Sequence, residues 1–252
     1  KKNKKKIEAS ILIIGNEILS GRTQDLNVSF LANWLNSKCG ITVSEVRVIP
    51  DIEKIIIKNI RHLSTVYDYV FTTGGIGPTH DDITAKSVSK AFKVKYDYHK
   101  KAYSILLKYY GATKFNDGRK KMAMMPKGSS LIKNPSSAAP GFKIKNVFCL
   151  PGVPSILKSM ISNCARYLIK GSKVLSYSIN VMTVESNIAK ALSKIQKKYS
   201  QNIDIGSYPF FRLGKIGVSI VSRSSNRRKL KSCTDEIKKM VRLKNIKTFK
   251  IK

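Results

Sequence analysis

Apolar residues along the first two thirds of the chain fall into short continuous runs that alternate with longer segments of helical spacing. The run EASILIIG is typical of a buried parallel strand, and it ends at Gly15. The segment NVSFLANWLNSKCG has apolar residues three and four positions apart, which predicts a helix that Asn27 caps and Gly40 stops. The first unit that the pattern predicts is therefore a strand followed by a helix.

The same alternation continues to about residue 170. The further predicted strands are ITVSEVRVI, VYDYVFTT, SSLIKN and GFKIKNVFCL. The further predicted helices are DIEKIIIKNIRHL, DITAKSVSKAF, HKKAYSILLKYYG and PSILKSMISNCARYLI. Repeated strand–helix units with apolar strands predict a three-layer α/β/α sandwich, in which helices cover both faces of a sheet and the crossovers are right-handed.

The segment KGSK at residues 170–173 is a predicted domain boundary. Beyond it the pattern predicts a strand, a helix, two strands and a helix, at residues 174–184, 186–199, 203–208, 216–222 and about 226–242. This βαββα order predicts a second, small α+β domain. The expected domains are a basic tail at residues 1–8, an α/β domain at 9–170 and the small basic domain at 171–252.

The lengths of the apolar runs and the spacing of the cysteines predict a cytoplasmic protein. No apolar run approaches the roughly 20 residues that a membrane-spanning helix needs, so no membrane partner is expected. The basic start superficially resembles a signal peptide, but its apolar part is only about six residues long. The four cysteines are widely spaced and form no CxxC pair, which disfavours a zinc site and fits a reducing compartment.

The formal net charge of +33 has two readings. A nucleic-acid or anionic-membrane partner would explain such an excess of bases. The bases are mostly lysines scattered along predicted helix faces, whereas phosphate and base recognition favours arginine forks. We therefore favour a lysine-rich composition, and nucleic-acid binding stays open as an alternative. In both readings the positive field should attract anionic ligands.

The most informative stretch is FTTGGIGPTHDDIT, which links a predicted strand to a predicted helix. Gly74, Gly75 and Gly77 allow positive φ angles and a close approach of the backbone to a ligand. The amides of such a loop, together with the start of the next helix, form a cradle for an anion such as phosphate. Thr73 and Thr79 can add hydroxyl donors.

Two adjacent carboxylates follow the glycines, and a bare carboxylate beside a phosphate opposes binding. Two unit charges about 4 Å apart interact by about 4 kcal/mol at an effective dielectric constant near 20. A divalent cation reverses the sign, because Mg²⁺ is commonly held by one or two carboxylates together with substrate phosphates. We expect Asp81 to cap the helix and Asp82 to hold the metal. A tight turn with a doubled cap and no ligand is the alternative.

Three other junctions are expected at the same edge of the sheet, because ligands of open α/β sheets bind beyond the carboxyl ends of the strands. Glu17 follows the first strand, Asp51 follows the second, and Gly152 lies in the segment LPGVPS before a helix. Glu17 and Asp51 are candidate metal ligands beside Asp82. For Asp51 a plain helix N-cap is the alternative.

The order of these motifs resembles a known family. TTGGIGPTHDDIT, followed about 65 residues later by LPGVP, resembles the molybdopterin-binding domain of MoaB and Mog proteins. The full order, which includes GNEIL and NPSSAAPGF, is similar to the competence/damage-inducible protein A branch and to the corresponding domain of FAD synthases. The likeness covers roughly residues 9–170. The tail, with IGSYPFF and GVSIVSRS, is similar to the small KH-like domain that follows in this branch.

The resemblance implies a MogA-like sandwich and chemistry at phosphate anhydrides. Mog-type members adenylylate molybdopterin with ATP and Mg²⁺, and the competence/damage branch is linked to metal-dependent hydrolysis of ADP-ribose-type pyrophosphates. It implies a catalytic and metal-linked role for Asp82. The residues that it places at the phosphate or pterin are Gly74, Gly75, Gly77, Thr79 and Gly152, and the hydroxyl of Thr73 is a further predicted donor to the same ligand.

The sequence departs from the family pattern at two points. Ser136 and Ser137 stand where a glycine is expected, which adds bulk and hydroxyl groups near the pocket. The C-terminal amidohydrolase domain of longer relatives is absent from the sequence, so nicotinamide-nucleotide deamidation is not expected.

Three functions are compatible with these motifs. The leading hypothesis is a pyrophosphatase that acts on ADP-ribose or FAD with Mg²⁺ or Co²⁺. The alternatives are adenylyl transfer to molybdopterin and a non-catalytic module that binds a ligand or RNA. A GxxG pair, which KH domains use to clamp RNA, occurs from Gly214 to Gly217, but its place between two predicted strands favours a hairpin turn. Because relatives often self-associate, a homo-oligomer is expected.

Overall fold

The computed structural model describes residues 6–212 and 214–249. These residues divide into two compact units, the first reaching to Gly171 and the second beginning at Ser172. Most of the predicted basic tail lies outside the described residues. Within them, no helix is both long and apolar enough to cross a membrane.

The large unit contains a six-stranded sheet, a separate two-stranded sheet and helices. Its strands are β1 (Glu8–Ile14), β2 (Thr42–Ile49), β3 (Tyr69–Thr73), β4 (Tyr96–Tyr98), β5 (Met124–Pro126), β6 (Ser130–Ile132), β7 (Gly141–Ile144) and β8 (Val147–Leu150). Its α-helices are α1 (Asn16–Leu19), α2 (Asn27–Trp34), α3 (Glu53–Val66), α4 (Thr84–Ala91), α5 (Lys100–Tyr110), α6 (Asp117–Lys121) and α7 (Pro154–Met160). Helix α2 continues as a π-helical turn and α7 as a 3₁₀ turn.

The six strands lie in the order β2-β1-β3-β8-β7-β6. The four from β2 to β8 are parallel, and β7 and β6 add antiparallel strands at one edge. The segment GFKIKNVFCL forms both β7 and β8, and Lys145 takes a φ of 49° in the turn between them. The β4–β5 pair and α6 were not expected from the apolar pattern, because these elements are only three to five residues long.

Helices cover both faces of the sheet, which confirms the predicted three-layer sandwich. Alternate residues of β1 belong to different cores: Leu12 packs on the side of α3, α4 and α5, and Ile11 packs on the side of α2 and α7. This alternation follows from the two-residue period of a strand. A central strand of this kind is buried on both faces, which explains its continuous apolar sequence.

The register of the parallel strands brings their carboxyl ends together. Ile13 is paired with Thr73, Thr73 with Leu150, and Ile14 with Ile49. The loops that follow β1, β2, β3 and β8 therefore start side by side along one edge of the sheet. This edge is where the sequence places the glycine loop and the acidic residues.

The small unit is an α+β fold, as predicted, with one element more than the sequence pattern indicated. Its elements are β9 (Leu175–Val181), α8 (Ser186–Tyr199), β10 (Asp204–Arg212), β11 (Lys215–Ser224), α9 (Arg227–Leu243) and β12 (Thr248–Phe249). The antiparallel strand order β10-β11-β9-β12 and the βαββαβ sequence of elements are those of a split βαβ motif. The GxxG pair lies at the β10–β11 hairpin, in agreement with the predicted turn.

Candidate functional site

A pocket of about 550 Å³ opens beyond the carboxyl ends of the parallel strands. The glycine loop after β3 lies in one wall, and the Pro-Gly loop before α7 lies in another. The predicted site residues that line it are Glu17, Asp51, Gly74, Gly75, Gly77, Thr79, Asp81, Asp82 and Gly152. Residues that the sequence places in four separate loops thus share one pocket, as the strand register requires.

Thr73 is the predicted site residue that does not line the pocket. It is the last residue of β3 and only 1% exposed. Its position in the sheet, paired with Ile13 on one side and Leu150 on the other, places it below the loop. The predicted contact between its hydroxyl and a ligand therefore has no support in the geometry.

Two glycines of the loop are required by both conformation and packing. Gly74 has a φ of 97° and Gly75 a φ of 69°. A Cβ atom at Gly75 would lie 2.1 Å from Oγ1 of Thr84, and one at Gly74 would lie 2.2 Å from the carbonyl oxygen of Ile14. The loop is thus packed against β1 and the start of α4 with no room for a side chain.

Thr84, the first residue of α4, fixes this loop and was not singled out in the sequence. Its hydroxyl donates to the carbonyl of Gly74 at 3.0 Å, and its amide donates to the carbonyl of Gly75 at 2.9 Å. The bonds turn the carbonyls of the loop toward the helix. A threonine ten residues after the first glycine gives no local signal of this role.

The amides of the loop are only partly free to bind an anion. Gly74 donates its amide to the carbonyl of Leu150 at 3.0 Å, and Thr79 donates its amide to Oδ2 of Asp82 at 2.8 Å. Among the described residues, no acceptor is recorded for the amides of Gly75, Ile76 and Gly77. The cradle predicted from the glycines is therefore reduced to three consecutive amides.

The prediction that Asp81 caps the following helix is wrong. Helix α4 begins at Thr84, and its N-cap residue, Ile83, has no side-chain cap. The aspartates instead belong to a closed turn with Thr79: Asp82 donates its amide to the Thr79 carbonyl at 3.2 Å. The Thr79 hydroxyl lies 2.5 Å from Oδ1 of Asp81 and 2.6 Å from Oδ2 of Asp82. The helix starts later than the sequence pattern indicated, and the turn uses the carboxylates itself.

The N-cap reading of Asp51 is also wrong. The N-cap position of α3 is Ile52, with no side-chain cap, and Oδ2 of Asp51 accepts from the amide of Asn16 at 2.9 Å. This bond joins the loop after β2 to the start of α1. Burial raises the pKa of Asp51, and the negative charges of the neighbouring acids raise it further, whereas the Asn16 amide lowers it. Those acids are Glu17, Asp81 and Asp82.

The sign of the charge in the pocket is opposite to that of the chain. Four carboxylates line it, and no lysine, arginine or histidine does so in the described part of the chain. None of the four forms an ion pair with a base among the described residues. The described residues thus form an acidic pocket in a chain of net charge +33.

The donor set fits a hard divalent cation that is held jointly with a ligand. Carboxylate oxygens are the donors that Mg²⁺ prefers, and a few of them with substrate phosphates suffice. Oδ1 of Asp82, Oδ1 of Asp51 and both carboxylate oxygens of Glu17 have no recorded hydrogen bond from the described residues. No three His, Cys, Asp or Glu side chains of the described residues form a ready-made metal-binding group. The predicted trio therefore shares a pocket but not a preformed coordination shell.

Asn27 supports the opposite wall and is not the helix cap that the sequence predicts. The N-cap position of α2 is Leu26, and Asn27 is the first helical residue. It is 4% exposed, and its Nδ2 donates to the carbonyl of Gly152 at 2.8 Å. A Cβ atom added at Gly152 would lie 3.4 Å from Cα of Gly74, so the two loops are in van der Waals contact. Asn27 therefore holds the Pro-Gly loop against the glycine loop.

One of the two serines that depart from the family pattern reaches the pocket. Ser137 lines it, whereas Ser136 is exposed. Asn134 holds their segment by accepting from both amides and by donating to the Ser137 hydroxyl at 2.8 Å. The hydroxyl proton of Ser137 is thereby left to interact with a bound ligand.

Fold and pocket together define an α/β domain with a ligand site at the carboxyl edge of a parallel sheet. The family model described as probable molybdopterin binding domain matches residues 10–171, and the chain belongs to this family. A second family model, described as FAD synthase, middle domain, matches residues 173–250. The predicted family resemblance is thus confirmed, and the small unit has a family likeness of its own.

Proteins similar to this chain include several from archaea. A protein of Archaeoglobus fulgidus is 34% identical over 205 residues, which span 81% of this chain and 86% of the relative. A protein of Pyrococcus abyssi is 32% identical over 218 residues, with 81% and 85% covered. Among solved structures, the protein CinA of Thermoplasma acidophilum is 32% identical, with a TM-score of 0.60, and the match covers 64% of this chain and 98% of that chain.

Proposed function

We propose that this chain is a divalent-metal-dependent hydrolase of nucleotide pyrophosphates such as ADP-ribose or FAD. The observation that carries the proposal is the pocket with four carboxylates and no basic side chain among the described residues, in a chain of net charge +33. A site for anions alone would not gather four carboxylates, because their negative charges oppose an anionic ligand. Carboxylates beside free loop amides fit a ligand that brings both negative charge and a cation.

In this proposal the loop amides and the carboxylates have different tasks. The amides of Gly75, Ile76 and Gly77 bind phosphate oxygens, and the Thr79 turn presents Asp82 toward the same phosphates. Water attacks one phosphorus, the anhydride P–O bond breaks, and ADP-ribose gives AMP and ribose 5-phosphate. A bound divalent cation would supply neutralisation of phosphate charge and activation of water.

The pocket is large enough for such a ligand. Its volume of about 550 Å³ lies within the range of about 300–1,000 Å³ that is usual for ligand pockets. Beyond the carboxylates it is lined by apolar side chains that can contact a sugar or base, among them Ile76, Met122 and Ile156. The polar and apolar parts match a ligand with a charged centre and less polar ends.

The test is turnover of ADP-ribose and FAD by the purified chain with Mg²⁺ or Co²⁺, with AMP measured by chromatography. We expect turnover that a chelator abolishes and that Asp82→Ala lowers by on the order of 100-fold, because a carboxylate that would hold the metal is lost. The matched control is Asp117→Ala, which removes a carboxylate that is 98% exposed on α6. Absence of turnover with every metal, or equal rates for Asp82→Ala and the wild type, refutes the proposal.

Adenylyl transfer to molybdopterin is the second candidate, and the description of the matching family favours it. It would use the same pocket, with the pterin phosphate on the loop amides. Incubation with molybdopterin, ATP and Mg²⁺, followed by mass spectrometry, separates the two functions. An adenylylated pterin without hydrolysis of ADP-ribose or FAD would establish the second candidate in place of the first.

A further inference from the structure

Helix α6 lies against the outer side of the glycine loop, about 40 residues away along the chain. A Cβ atom at Gly118 would lie 3.2 Å from the carbonyl oxygen of Pro78, so the helix backbone and the loop are in close contact. At the end of the same helix, Nζ of Lys121 donates a hydrogen bond to the carbonyl of Thr79. Two successive peptide groups of the loop thus meet α6.

The peptide group that Lys121 holds is the centre of the acidic turn. The Thr79 carbonyl also accepts from the amide of Asp82, and the Thr79 amide donates to Oδ2 of Asp82. The Thr79 hydroxyl has one proton, which it gives to either Asp81 or Asp82. The direction of both carboxylates therefore depends on where the Thr79 peptide lies.

The charge of Lys121 is directed at this turn and is not used elsewhere. Among the described residues it forms no ion pair, whereas its neighbour Lys120 pairs with Asp117 of the same helix at 3.0 Å. Lys121 also lines a small cavity beside Gly77 and Asp82, and it is not among the residues that line the pocket. It is thus a cation in contact with the acidic turn and outside the lining of the pocket.

We propose that Lys121 is a positioning residue that fixes the Thr79 peptide, so that the turn presents Asp81 and Asp82 to the pocket in a single arrangement. Its ammonium group also offsets part of the repulsion among the four carboxylates, which otherwise favours opening of the turn. The geometric part of the proposal is independent of the reaction. The kinetic part rests on the proposed pyrophosphatase function.

The geometric part is tested by hydrogen exchange of the full chain in metal-free buffer, followed by mass spectrometry of peptides that contain residues 76–84. In Lys121→Met we expect exchange of the Thr79 and Asp82 amides to rise on the order of tenfold, since a charge-assisted bond to the turn is lost. Lys120→Met, one residue away, should leave exchange unchanged. Lys121→Arg, which retains a charged donor, should restore most of the protection.

A general loss of stability is separated from loss of positioning by the melting temperature and by Lys121→Gln, which retains a neutral donor. Faster exchange confined to residues 76–84 at an unchanged melting temperature supports the proposal. Unchanged exchange in both Lys121→Met and Lys121→Gln overturns it. Equally faster exchange throughout the large unit also overturns it, because Lys121 then acts on the fold as a whole.

The kinetic part is tested by steady-state hydrolysis of ADP-ribose with saturating Mg²⁺. Lys121→Met should lower kcat on the order of tenfold with little change in KM, and Lys121→Arg should recover most of the rate. An unchanged kcat together with faster exchange refutes the role in positioning for catalysis. An inactive wild type refutes the proposed function instead, and the exchange measurement then decides alone whether Lys121 holds the turn.

Discussion

The acids of the two units are used in opposite ways. In the small unit Asp204, Asp235 and Glu236 each lie within 4 Å of a basic side chain, and Glu185 accepts from the hydroxyl of Ser207. In the large unit four acids line one pocket; among the described residues, amides or hydroxyls are the recorded partners of three of them, and none is recorded for the Glu17 carboxylate. Both units are strongly basic, so a shortage of bases does not explain the difference.

Most of the remaining acids of the large unit resemble those of the small unit. Five pair with a base, namely Glu8, Glu45, Glu53, Asp97 and Asp117. Two accept from backbone amides, namely Asp25 and Asp68. Exposed ion pairs of this kind contribute little, typically about 0–1 kcal/mol, and indicate no function. The comparison shows that carboxylates gathered in one pocket without a base, in a chain with so many bases, distinguish the candidate site from the other acids.

The largest effect is expected from a variant that changes the shape of the pocket and keeps its charges. Gly75→Ala forces a side chain into a φ of 69° and into contact with Oγ1 of Thr84. We expect turnover of ADP-ribose to fall by about 100-fold, because a shift of the loop by about 1 Å misplaces the phosphates.

Gly21→Ala is the matched control for that change. Gly21 has a similar φ of 72°, but an added Cβ atom there meets nothing within 4 Å. Its cost should be the backbone strain alone, about 1–2 kcal/mol. Equal turnover in both variants would mean that the loop does not contact the ligand.

The second test asks whether the pocket depends on the small unit. Ile220 is 1% exposed in the core of the small unit, and Ile220→Ala should destabilise that unit by about 2–5 kcal/mol. The single tryptophan of the chain, Trp34, lies in the large unit and reports only its unfolding. The variant should shift part of the circular-dichroism transition while the fluorescence transition and the turnover stay unchanged.

Ile60→Ala is the reciprocal variant, since Ile60 is fully buried in the large unit. It should lower the midpoint of the fluorescence transition by a similar free energy, about 2–5 kcal/mol. A fluorescence midpoint that falls as much in Ile220→Ala as in Ile60→Ala would show that the two units unfold together. That result would contradict the expectation that the pocket is independent of the small unit.

A smaller effect is expected at the wall opposite the carboxylates. Asn27→Ala removes the bond to the Gly152 carbonyl and leaves that oxygen unsatisfied, at a cost of about 1–3 kcal/mol. We expect KM for ADP-ribose to rise by about tenfold, with a modest fall in melting temperature, because the Pro-Gly loop loses its support. Asn33→Ala, at an exposed position of the same helix, should change neither value.

The smallest effect concerns the stability of the metal-free protein as a function of pH. Burial raises the pKa of Asp51 above its ordinary value of 3.8, so its ionisation on the way to neutral pH costs stability in the folded state. Asp51→Asn retains an acceptor for the Asn16 amide and should therefore melt at a higher temperature than the wild type at pH 7. This advantage should shrink as the pH falls toward 3.8. A lower melting temperature for the variant at pH 7 would contradict the direction of the shift.

Much of the site could be predicted from the sequence because it follows from repeated local rules. Apolar runs identify buried strands, and parallel connections bring the ends of those strands to one edge. Glu17, Asp51 and Gly152 could thus be assigned to the pocket although no local motif links them. The glycine loop could be recognised without tertiary information, because glycine readily adopts the positive φ angles found at Gly74 and Gly75.

The partners of polar side chains could not be predicted in this way. The caps expected from Asn27, Asp51 and Asp81 follow common local patterns, and all three side chains instead bind elsewhere. Asn27 reaches across 125 residues, and the contact of Lys121 with Thr79 spans 42. A local pattern cannot specify such a contact, because it forms only after the sheet has brought distant loops together.

The sequence pattern alone predicts the two units, the parallel sheet with helices on both faces, and the edge of the sheet at which the glycines and acids lie. These depend on the periodicity of apolar residues and on backbone conformation, which are written locally in the chain. The tertiary structure was needed to show which acids share the pocket, which amides stay free and which cation contacts the acidic turn. Those features depend on distances of a few ångströms between segments far apart in sequence, and such distances are set by packing.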